Sequence, residues 1–89
     1  MLNQKLKKRA VHRAQILAGQ IAALAAGIER EEYCINLLLQ SLSIQMSLRS
    51  LDKLMLENHL QTHVIHQMKK PKEQKRAIQE LLKIYTYVD

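Results

Sequence analysis

Residues 32–67 read EYCINLLLQSLSIQMSLRSLDKLMLENHLQTHVIHQ, with no proline or glycine. Ile35, Leu38, Leu39, Leu42, Met46, Leu51, Leu54, Met55, Leu60 and Val64 keep helical spacing throughout, so the stretch predicts a single long helix. About 33 residues at 1.5 Å each span roughly 50 Å, while a compact chain of this length has a radius of gyration of only about 12 Å. Such a helix overhangs its own subunit. Leu37, Ile44, Leu48 and Leu56 add apolar positions on other faces, which implies burial by more than one neighbour, a second chain being the natural cover.

Upstream, Leu6, Ala10, Ala14, Leu17, Ile21, Leu24 and Ile28 predict an amphipathic helix over residues 1–30. Its first half is basic: Lys5, Lys7, Lys8, Arg9 and Arg13 stand together without an acid, and Glu29, Glu31 and Glu32 cluster at the far end. Glu31 and Glu32 would suit the positive N-terminus of the next helix, which puts a short break at residues 30–32. Gly19, inside the first helix, reads as a point of close helix packing. Downstream, residues 68–72 carry Pro71 and three lysines and form the obvious loop, and Pro71 with Glu73 opens a short third helix. Ile78, Leu81, Leu82 and Tyr85 give that helix its apolar face, leaving Lys75, Arg76 and Lys83 solvated. The expectation is an all-α fold of three helices with one long central helix, residues 1–89 forming a single domain.

The chain has 89 residues, 47% of them apolar, with one Pro and two Gly, which excludes a multidomain enzyme and a disordered tail. It has no Phe or Trp, and its aromatic residues are Tyr33, Tyr85 and Tyr87, so stacking platforms for single-stranded nucleic acid are not expected. Fourteen Lys and Arg against eight Asp and Glu give +6, pointing to a polyanion such as DNA or to an anionic membrane surface. A chain this small buries only about 60% of its unfolded surface and has no internal disulfide, so an oligomer is expected. With no membrane span and no signal-type apolar segment, the protein reads as cytoplasmic, its Cys34 a free thiol.

The residues that could carry chemistry are Cys34, His59 and His63. His59 and His63 are i, i+4 on a helix, which puts both imidazoles on one face within reach of a single metal ion, and a thiolate would complete a soft three-ligand set. Cys34 lies 25 residues before His59, about 37 Å along a continuous helix. If the three share an ion, the cysteine comes from an antiparallel long helix of a second subunit, and two-fold symmetry makes two such sites. A cysteine in an apolar helix also has a packing reading. His12 and His66 read as surface imidazoles. No acid/base pair, nucleophile elbow or phosphate loop is present, and the residues between the histidines, Leu60, Gln61 and Thr62, supply no metalloprotease glutamate, so an enzyme is not expected.

The basic first helix with Arg13 and Gly19-Gln20, then Tyr33-Cys34, His59-Leu60-x-x-His63 and a short third helix resemble, over essentially the whole chain, the CsoR/RcnR family of small all-helical bacterial repressors. The resemblance implies an antiparallel dimer, two of which assemble into a flat dimer-of-dimers tetramer, with metal at an intersubunit site releasing operator double-stranded DNA. It implies Cys34 as the thiolate ligand, His59 as the first ligand on the opposing helix, and His63 at a position that is Cys in typical copper sensors and His in nickel/cobalt sensors. Tyr33 and Glu80 resemble the pair behind the ligands of copper sensors. Arg13 matches a position used for operator binding, extended by Lys7, Lys8 and Arg9; Arg49 and Lys53 could join them, although Ser50 stands near a point where copper sensors often carry arginine.

Nickel/cobalt sensors add a histidine close to the N-terminus, where this chain has Leu2 and Asn3. Formaldehyde sensors use an N-terminal proline and persulfide sensors two cysteines, neither of which is present. One sulfur and two imidazoles suit Cu(I) first, with Ni(II), Co(II), Cu(II) or Zn(II) possible given an added ligand. The expected function is a metal-responsive repressor that binds operator DNA in the apo form and reads it partly through DNA shape. The alternatives are a nickel/cobalt- or formaldehyde-responsive repressor and a helical metal buffer with no operator.

Overall fold

The computed structural model describes residues 4–86, and all regular structure among them is helical. Leu2, Asn3 and Tyr87 lie outside the described residues. Helix α1 spans Gln4–Glu29, α2 Cys34–His59, α3 Ile65–Met68 and α4 Pro71–Thr86, and a π-helical turn, Leu60–Val64, joins α2 to α3. His59 and Ile65, which flank that turn, both keep right-handed helical dihedrals, so α2, the π turn and α3 form one helical run. This is the long central helix expected from residues 32–67.

The chain forms two compact units, the first ending at Leu56 and the second beginning at Glu57. In the first unit α1 and α2 make an antiparallel hairpin, with Arg13 beside Ser50 at one end and Gly27 against Leu37 at the other. Its core is Ala10, Leu17, Ile44 and Leu51, with Leu24 packed against them. Within each helix these positions recur every seven residues, the spacing of a two-helix seam rather than of a broad buried face. Another stripe of α2, Ile35, Leu38, Leu39, Leu42 and Met46, stays exposed, Leu39 at 60% and Met46 at 70%.

Glu31 and Glu32 do not start α2, contrary to the sequence expectation; they close α1. The Glu32 amide donates to the Gly27 carbonyl at 3.1 Å and the Glu31 amide to the Ile28 carbonyl at 3.0 Å, the pair of bonds that caps a helix C-terminus through a left-handed residue. Glu31 is that residue, with φ 57°, at a position that favours glycine. Arg30 Nη2 meets Glu32 Oε1 at 2.7 Å across the turn. Helix α2 then starts from Tyr33, whose carbonyl accepts from the Asn36 and Leu37 amides, and it has no acid in its first turn.

Gly19 also departs from expectation: a Cβ built there would meet nothing within 4 Å. The close approach is at buried Gly27, where a Cβ would lie 2.9 Å from Leu37 Cδ2 and 3.0 Å from Glu32 Oε2.

In the second unit Pro71 opens α4 as the sequence predicts, with Glu73 in its first turn. Gln74 Nε2 donates to the Met68 carbonyl at 2.7 Å, fastening that first turn to the end of α3. Ala77, 1% exposed, is the small residue that lets α4 lie close to the elements it packs on.

Two substitutions should raise stability for different reasons. Glu31→Gly relieves the left-handed backbone and should gain about 1 kcal/mol, while Gly19→Ala should gain about 0.5–1 kcal/mol from helix propensity in open space. Urea unfolding measures both; a loss of stability in Gly19→Ala would show that the position is covered.

Candidate metal centre and nucleic-acid interface

His59 is the last residue of α2 and His63 lies within the π turn, so the helical run itself sets their spacing. Their ring centroids are 5.4 Å apart and their planes 26° from parallel. Two imidazoles bound to one ion at about 2.0–2.1 Å, with a trigonal or tetrahedral angle between them, put their ring centres roughly 5–5.5 Å apart. The separation therefore suits a shared ion, and rotation of the stacked rings about their side-chain bonds would turn the two nitrogens toward one point. Among the described residues no three His, Cys, Asp or Glu side chains gather at one place.

Cys34 is a free thiol, exposed at the first position of α2. Tyr33, just before it, is 70% exposed. Glu80, on α4, accepts from Arg76 Nε at 3.1 Å in an i, i+4 pair whose members are both open to solvent. Its carboxylate is thus engaged within its own helix. The described geometry brings His59 and His63 together.

The basic residues lie where helix electrostatics disfavours them. Lys5, Lys7 and Lys8 occupy the start of α1, whose backbone end is already positive, and no acid stands in its first turn. Glu29 ends the helix, and no base stands in the last turn. A cationic helix start gains from any anion that neutralises it, and exposed Lys7, Lys8 and Arg9 can reach one. Arg13 differs from them. It is half-buried, its Nη1 donates to Ser50 Oγ at 2.8 Å, and it lines a cleft of 290 Å³ together with Gln20 and Ser47.

Two features escaped the sequence reading. Ser50 had been noted as replacing an arginine, and it turns out to be the partner of Arg13. Thr62 had been noted only as an intervening residue, and its hydroxyl donates to the Asn58 carbonyl at 2.7 Å beside the histidine pair. A threonine four residues after a helical carbonyl is the available signal for such a bond, but most exposed helices offer one.

Residues 6–86 match the family described as metal-sensitive transcriptional repressor. The copper-sensing transcriptional repressor CsoR of Mycobacterium tuberculosis (strain ATCC 25618 / H37Rv) is 30% identical over 56 residues, 63% of this chain and 47% of that protein. The copper-sensing transcriptional repressor CsoR of Bacillus subtilis (strain 168) is 25% identical over 83 residues, 93% of this chain and 81% of that protein. The chain spans about half the length of the mycobacterial relatives it matches.

Proposed function

Because the chain belongs to the family of metal-sensitive transcriptional repressors, we propose that it binds operator DNA in its metal-free form and releases it on binding Cu(I) at a site shared between subunits. The observation that carries the metal assignment is the His59–His63 pair at 5.4 Å. Cys34 of a second, antiparallel chain supplies the third donor, giving the sulfur and two nitrogens that suit Cu(I). Copper-sensing relatives favour that ion over Ni(II), Co(II) and Zn(II).

Pairing Cys34 with residues 59–63 of an antiparallel partner centres the two-fold axis near residues 46–49. Met46 and Leu48 are exposed there, and the exposed stripe from Ile35 to Met46 leads up to them. Covering such side chains is worth on the order of 2 kcal/mol each, so one contact surface would both build the dimer and bring the ligands together. Two dimers then form the tetramer that presents several basic α1 ends to a duplex in the cytoplasm.

Lys7, Lys8 and Arg9 hold operator phosphates from the exposed start of α1, and Arg13, anchored by Ser50, adds a fixed guanidinium. Once Cys34 of one chain is tied to the histidines of another, Tyr33 and Glu80 carry the change toward a tetramer whose basic ends fit the duplex less well. For Glu80 this means exchanging Arg76 for a new partner.

Anaerobic fluorescence anisotropy on the protein's own promoter DNA tests the assignment, with Cu(I), Ni(II), Zn(II) and formaldehyde titrated in parallel. Release at one Cu(I) per protomer, lost in Cys34→Ala and His63→Ala, is expected; release by Ni(II) alone would move the protein to a nickel response, and no DNA binding would leave a metal buffer. In the same assay the logarithm of affinity should fall linearly with the logarithm of salt, with a slope that shrinks by about 1 for each DNA-facing lysine removed from every bound chain. Glu80→Ala should keep its Cu(I) affinity and lose most of the metal-induced release; unchanged release would remove Glu80 from the coupling route.

A further inference from the structure

The helical run that carries the two histidines changes register between them. From Leu60 to Val64 it is π-helical, and neither a proline nor a glycine causes this. A π turn acts as one extra residue in an α-helix, so everything beyond it is rotated by about 100° relative to an uninterrupted run. His59 lies just before the turn and His63 within it, so the presence of the turn fixes how the second imidazole faces the first.

Thr62 is placed to hold that register. Its hydroxyl donates to the Asn58 carbonyl at 2.7 Å, and both residues are sheltered: Asn58 is buried at 8% exposure and Thr62 is half-buried. Hydroxyl bonds from threonine back to a carbonyl four residues earlier are known to distort helices, because the side chain competes with the backbone for that acceptor. Here the bond spans the residues just before and within the π turn. It bridges the segment containing His59, one residue after Asn58, to the segment containing His63, one residue after Thr62.

We propose that Thr62 is a positioning residue of the metal site: its bond to the Asn58 carbonyl maintains the π turn and so sets the spacing and facing of the His59 and His63 imidazoles. This inference rests on the reading of His59 and His63 as metal ligands. Thr62 touches no ligand atom in this role. It acts as outer partners of metal ligands do, where a lost hydrogen bond typically costs 10–100-fold in metal affinity.

The test compares full-length wild type with Thr62→Val, which keeps the shape without the hydroxyl, Thr62→Ser, which keeps the hydroxyl, and His59→Ala and His63→Ala. Cu(I) affinity is measured by chelator competition, the Co(II)-loaded absorption spectrum reports ligand geometry, and circular dichroism checks helix content. Thr62→Val should bind Cu(I) about tenfold or more weakly and shift the Co(II) ligand-field bands at unchanged helix content, and Thr62→Ser should restore both. If the histidine variants lose affinity while Thr62→Val matches wild type, the positioning role is overturned and the ligands stand. If Thr62→Ser is as impaired as Thr62→Val, the hydroxyl is not the cause and the proposal is likewise overturned. If neither histidine variant loses affinity, the ligand assignment fails and the inference falls with it.

Discussion

Two antiparallel helices can hide only one stripe of each, and this limit shapes the rest of the molecule. The seam of α1 and α2 takes Ala10, Leu17, Ile44 and Leu51, and a different stripe of α2 is left carrying Ile35, Leu38, Leu39, Leu42 and Met46 in solvent. An apolar stripe of that length is a surface awaiting another surface. On the proposed reading the cover is a second copy, and the packing that completes the core also supplies the missing metal ligand. Dimerisation and sensing then rest on the same side chains, and a change to the exposed stripe would reach both.

The division of labour along the long helix follows from its straightness. Cys34 opens α2 and His59 closes it, so one rod carries sulfur at its start and nitrogen at its end. A rod cannot fold back on itself, and an ion that needs both kinds of donor has to recruit them from two rods. The histidine end is the part that departs from regular α geometry, through the π turn at Leu60–Val64. Irregular backbone of this kind is frequent at functional sites.

Much of the fold was legible because the decisive signals were local. The helical run through Met68, the break after Glu29 and the start of α4 at Pro71 follow from periodicity and from the residues that stop helices. The sequence reading went wrong where two physical roles compete for one residue type. Glutamates after a helix can begin the next one or finish the last, and backbone hydrogen bonding assigned Glu31 and Glu32 to α1. A glycine in a helix can mark a close approach or none, and only the packing shows that Gly27, not Gly19, is the tight one. At the candidate site the His59–His63 pairing was legible from i, i+4 spacing, while the π turn was not, because side-chain competition for the Asn58 carbonyl leaves no periodic trace.

The charges of the hairpin are arranged lengthwise. Lysines and Arg9 gather where α1 begins, and Glu29, Glu31 and Glu32 lie where it ends, roughly 39 Å away for its 26 residues. Separated charge of this kind makes each hairpin an electric dipole as well as a net cation. In the field of a polyanion it feels a torque before any contact forms, so the basic tip is turned forward during diffusion. The arrangement therefore bears on how often an encounter succeeds, a kinetic property distinct from how tightly the final complex holds.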